Sequence, residues 1–157
     1  MSESSVKLDR MRFTKNTTSS RLALLAIVFD VLLFISIYKS DVGTWYYTIL
    51  IGASIIYNLV FLLTAFLASE GVKNYKRGYT WLLLALAAGQ IIRIFIIPIQ
   101  AHNAEVDGVR VMGDGQFIRV IIYLVISTAC LLASAAINWK KSKELTAHVA
   151  SLEATRA

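Results

Sequence analysis

The run WLLLALAAGQIIRIFIIPI, residues 81–99, decides how the chain is read. Apart from Gln90 and Arg93, every position in it is apolar or small. About twenty such residues in a helix cross the ~30 Å hydrocarbon core of a bilayer. Arg93 is the anomaly, because a guanidinium stays protonated and is costly at membrane depth unless something pairs with it. Gln90 lies three residues earlier, on the same helical face. Ala85 and Gly89 continue that face at four-residue steps, small enough to let a neighbouring helix come close.

Three further apolar runs flank this one, giving spans at about 22–38, 46–68, 80–99 and 117–139. The chain is 57% hydrophobic, only 17% charged and has a mean hydropathy of +0.62. Ordinary soluble domains carry about a quarter charged residues. The expected fold class is therefore an all-α integral membrane protein, a four-transmembrane-helix bundle. Residues 1–21 form a basic tail, 22–139 the membrane domain and 140–157 a second basic tail. The first run is expected to be retained, since Tyr38-Lys39-Ser40-Asp41 offers no small-x-small cleavage site. Trp45, Tyr46 and Tyr47 open the second span as a headgroup-level aromatic cluster. Pro98 ends or kinks the third.

Between spans three and four, Val106-Asp107-Gly108-Val109 carries a two-residue turn signal flanked by β-formers, so a short hairpin-like loop is expected there. Gly113-Asp114-Gly115 reads as a second turn. Lys and Arg set the orientation. The N-terminal tail has five, the loop after span two has three and the C-terminal tail has four, against Lys39 and Arg110 alone on the other side. That bias places both termini inside and the hairpin outside. It suits a bacterial cytoplasmic (inner) membrane. The net charge of +6 then describes orientation, and no folded basic face for nucleic acid is expected.

Asp30 is the one acid inside a span. Counting back from Tyr38 puts it about 12 Å deep, and Arg93 lies roughly 8–9 Å below residues 98–99. If spans one and three pack together, a guanidinium bridges the difference. The candidate intramembrane polar site is therefore Asp30, Asn58, Gln90, Arg93 and Arg119. Asn58 belongs to a small or polar face with Ser54, Ala65 and Ser69. Arg119 begins a face through Tyr123, Ser127, Cys130, Ser134 and Asn138. Two readings follow: a closed salt bridge that fixes helix register, with Arg119 snorkelling to the headgroups, or a water-filled outward-facing cleft.

Catalytic motifs are missing. There is no phosphate-cradling glycine loop, no nucleophile elbow and no His-Glu zinc motif. The single Cys130 excludes an intramolecular disulfide, and His102 and His148 fall on opposite sides of the expected membrane. No catalytic residue, metal or cofactor is assigned. The expectation is a non-enzymatic multi-pass membrane protein with the bilayer and a membrane-protein partner, or further copies of itself, around it. It would serve as an accessory or assembly subunit of a larger membrane complex such as a transporter. The alternative is a small oligomeric transporter or channel built on Asp30 and Arg93. A third class is a lipid or ligand sensor that uses the outer hairpin.

Overall fold

The computed structural model describes residues 14–39, 42 and 48–156. Four helices in it are long and apolar enough to cross a membrane. They are α1 (Thr17–Tyr38), α2 (Thr48–Lys73), α3 (Gly78–Ile96) and α5 (Asp114–Arg156), with a short α4 (Pro98–Asn103) before the last. Most of the first basic tail and the Trp45–Tyr47 cluster lie outside the described residues.

Capping explains the boundaries that differ from the apolar runs. The α1 helix begins at Thr17 rather than Leu22 because Asn16 caps it, its side chain accepting from the Ser19 amide at 3.5 Å. Helix α2 continues past the apolar run to Lys73 and stops where Tyr75 takes a positive φ of 58°. There the Lys76 amide returns to the Gly71 carbonyl at 3.1 Å, satisfying a carbonyl the helix end leaves open. Gly71 faces the Tyr79 ring so closely that a Cβ would have no room. This is why α2 and α3 can turn back so tightly.

Pro98 ends α3 and supplies the first turn of α4. The two-residue hairpin forms as expected: β1 (Glu105–Val106) pairs antiparallel with β2 (Val109–Arg110), with Asp107 and Gly108 both at positive φ. Gly113-Asp114-Gly115, by contrast, is no second turn; Asp114 opens α5. Residues 140–156, read from the sequence as a tail, continue α5 as one 43-residue helix. At 1.5 Å per residue it is about 64 Å long, roughly twice the hydrocarbon thickness.

The spans alternate in direction, and the closely packed neighbours are α1–α2, α2–α3, α3–α5 and α5–α1. Helices α1 and α3 therefore face each other across a diagonal of the bundle. Two apolar clusters divide the interior along its axis. Toward the termini lie Ala23, Ala26, Phe61, Ala65, Leu83 and Leu131 with their neighbours. Toward the hairpin lie Leu33, Ile37, Ile97, Ala101, Met112 and Leu124. Met112 has no exposed surface, and its amide is held by the Ala101 carbonyl at 3.1 Å. It plugs the hairpin end of the bundle.

Candidate functional site

Asp30 and its partners occupy the layer between the two apolar clusters. In α1, Asp30 falls between Ala26 of one cluster and Leu33 of the other; in α3, Gln90 and Arg93 fall between Ala87 and Ile97. Asp30 Oδ1 accepts from Arg93 Nη1 at 2.9 Å and from Gln90 Nε2 at 2.8 Å. The Arg93 and Asp30 side chains are 5% and 0% exposed, so the pair is closed to water. Because α1 and α3 stand diagonally opposed, only long side chains span the gap. A glutamine and an arginine one helical turn apart on α3 meet a single carboxylate on α1.

The Arg93 guanidinium also lies over the Tyr57 ring, its carbon 5.2 Å from the ring centroid. A tyrosine face favours a cation, so the half-buried Tyr57 ring gives the guanidinium a second contact beside Asp30. Tyr57 in turn rests against α3 at Gly89: a Cβ there would come 3.0 Å from the tyrosine hydroxyl oxygen. The Ala85–Gly89–Arg93 face thus seats a tyrosine from α2 beneath the arginine.

The layer is not fully satisfied. Asp30 Oδ2, Gln90 Oε1, Asn58 Oδ1 and Arg93 Nη2 are buried without a hydrogen-bond partner. A native interior leaves few such groups. Asn58 spends its amide on the Ser54 carbonyl of its own helix at 2.8 Å, not on a neighbouring helix. It shares with Asp30 a cavity of about 190 Å³ between α1 and α2, otherwise lined by apolar side chains such as Val31, Phe34 and Leu59. On the far side of Tyr57, a cleft of about 350 Å³ separates α2 from α3 and is lined by Ser54, Tyr57, Gly89 and Arg93 among apolar residues.

Of the five residues read from the sequence, Asp30, Gln90 and Arg93 come into contact and Asn58 lies beside them. Arg119 stands apart. It is exposed and lines a groove of about 420 Å³ between α1 and α5 with Lys39, Gln116 and Tyr123. That position near the hairpin end suits a side chain reaching for headgroups.

Sequence reading missed Tyr57, and it missed a second polar layer at the end that carries the termini. There Ser19 Oγ donates to the Ser134 carbonyl and Ser134 Oγ to the Ser19 carbonyl, each at 2.7 Å. Asn138 donates to Thr80 Oγ1 at 2.8 Å and accepts from Asn16 Nδ2 at 3.3 Å. Midway along the bundle Ser127 Oγ donates to the Ala26 carbonyl at 3.1 Å. The Ser127–Ser134–Asn138 face of α5 is therefore a seam that binds α1 and α3. Asn16, Ser19 and Thr80 sit in or beside segments that read as tail and headgroup zone, which hid their role.

Arg77, Trp81, Trp139 and Lys143 form a belt at the same end. The Arg77 guanidinium carbon lies 4.2 Å and the Lys143 ammonium 5.0 Å from the Trp139 ring. Trp81 meets that ring edge-on at 5.9 Å. Such amphipathic aromatics mark a membrane interface.

Among the described residues no three His, Cys, Asp or Glu side chains gather as a metal-ligand set. No protein-family model, curated protein or solved structure matches the chain.

Proposed function

We propose that the protein is a non-enzymatic subunit of a larger membrane complex, with both termini on the cytoplasmic side of a bacterial inner membrane. The observation that carries this reading is the closure of the Asp30–Gln90–Arg93 layer between two apolar clusters, with Met112 plugging the hairpin end. A solute path along the bundle axis would need water at that layer, and the charged pair is closed to it. The pair acts as a tie that sets how α1 and α3 face each other.

Two surfaces suit a partner. Helix α2 is the least covered of the four spans, and Ile56, Leu59, Val60, Leu63, Phe66 and Leu67 on it are each more than half exposed. Residues 140–156 of α5 extend about 25 Å beyond the span, with Val149 and Leu152 exposed one turn apart. Twelve Lys and Arg residues on the terminal side against two on the other support the orientation.

The test is capture of the tagged full-length chain from its native membrane in a mild detergent. A stoichiometric membrane partner is expected, lost when residues 144–157 are deleted. Recovery of the chain alone, together with solute flux through liposomes that contain nothing else, would overturn the reading.

The four unpartnered buried atoms favour a second reading, a small oligomeric transporter whose mid-membrane site opens in another state. Under it, Asp30→Asn abolishes tracer uptake into liposomes while the protein remains folded. Under the subunit reading there is no uptake to abolish.

A further inference from the structure

We infer that the groove between α1 and α5 at the hairpin end binds the phosphate of an anionic phospholipid, one whose head carries no amine. The groove measures about 420 Å³ and is open at the surface. Lys39 of α1 and Arg119 of α5 line it, and both are exposed.

These two cations have no acid to answer them. Among the described residues no carboxylate lines the groove, and neither Lys39 nor Arg119 takes part in an ion pair. Asp114, the acid that opens α5, is held by Arg110 at 2.9 Å. Two positive charges on one groove attract an anion, and a phosphate accepts charged hydrogen bonds from lysine and arginine alike. A zwitterionic head would bring an ammonium group to a place where it meets like charge and no carboxylate. The amine-free head is therefore the better fit.

The register of the two helices brings the charges toward one level. Gln116 donates to the Ser36 carbonyl at 3.1 Å, which ties α5 to α1 beside the groove. By helical rise Lys39 lies about 4.5 Å outward of Ser36, and Arg119 about 4.5 Å inward of Gln116. The Cα–Cβ bonds of a helix tilt toward its N-terminus. That direction is inward on α1 and outward on α5, because the two helices run antiparallel. Both side chains thus set out toward the level of the Gln116–Ser36 bond.

Below that level the groove changes character. Leu32 and Ile35 line it and are exposed, with Leu32 about 10 Å further in than Lys39. Charge at the outer end with apolar surface beneath it matches a phospholipid standing with its head outward.

The experiment places the full-length protein in phosphatidylcholine nanodiscs with a trace of photoreactive lipid. The probe is phosphatidylglycerol or phosphatidylcholine, each carrying a diazirine at the same position on its acyl chain. Phosphatidylglycerol should label residues 32–39 and 116–123 about tenfold more than phosphatidylcholine does. Lys39→Gln and Arg119→Gln should each lower that preference about three- to tenfold, and the double variant should erase it. Lys39→Arg keeps the charge and should retain the preference. Arg110→Gln lies at the same end but outside the groove, and should change nothing. A loss there as large as for Lys39→Gln would assign the preference to general surface charge and overturn the site. Equal labelling by the two probes, or a preference that survives the double variant, also overturns it. Excess soluble glycerol phosphate should not compete. Competition would assign the groove to a water-soluble phosphate and overturn the lipid assignment.

Discussion

Arg93 on α3 donates to Asp30 on α1 at 2.9 Å across the diagonal of a four-helix bundle. The bond uses one carboxylate oxygen, shared with Gln90, and leaves Asp30 Oδ2 and Arg93 Nη2 unpaired. A two-toothed fork would be stronger; here Gln90 and Arg93 both reach the same carboxylate oxygen. Two apolar clusters enclose the layer, so losing either partner strands a charge in a dry interior. That is the most expensive fault such a bundle can carry.

The reciprocal serine pair should be strongly coupled. Ser19→Ala and Ser134→Ala each remove one bond between α1 and α5 and should each cost about 0.5–1.5 kcal/mol, the range found for hydrogen bonds between membrane helices. Because each hydroxyl also shields the other, which lies 2.9 Å away, the double variant should lose less than the sum. Unfolding of the three variants in bicelles measures this as a double-mutant cycle.

Two glycines should respond oppositely. Gly71→Ala places a Cβ against the Tyr79 ring, forcing the α2–α3 turn apart, and should destabilise by about 1–3 kcal/mol. Gly52→Ala meets nothing within 4 Å and should be neutral or stabilising by up to about 1 kcal/mol, since alanine favours a helix. Thermal unfolding of both variants in the same detergent gives the comparison directly.

Orientation is testable with single cysteines in a Cys130→Ala background. Leu152→Cys, on the exposed extension of α5, should react with an impermeant maleimide only after the cells are opened. Val109→Cys, 70% exposed in the hairpin, should react in intact cells. The reverse pattern would place the termini outside.

How much of this could be read from the residues alone follows from depth and length scale. Asp30, Gln90 and Arg93 were legible because a charge in an apolar run needs a partner and helical rise gives its depth. The hairpin was legible because Asp107-Gly108 permits positive φ at both turn positions. Tyr57 was not, because a tyrosine in a membrane helix has many uses, and only packing shows which ring a guanidinium covers. Arg119 was grouped with the site by depth and charge, but it points to another side of the bundle, which no one-dimensional count reveals. The tail after residue 139 reads as mildly helical, but its polar composition resembles a solvated tail, so its continuity with the fourth span as one helix through residue 156 was not legible.

The most direct test of the central claim is the coupling between Asp30 and Arg93, measured by reversible unfolding in bicelles. Asp30→Asn and Arg93→Leu should each cost about 3–5 kcal/mol, because each leaves its partner buried and unpaired. The double variant should cost less than their sum by about 1.5–3 kcal/mol, and exchanging the two residues should recover part of the loss. Single variants that unfold like wild type, or losses that simply add, would contradict a closed charge pair holding α1 against α3.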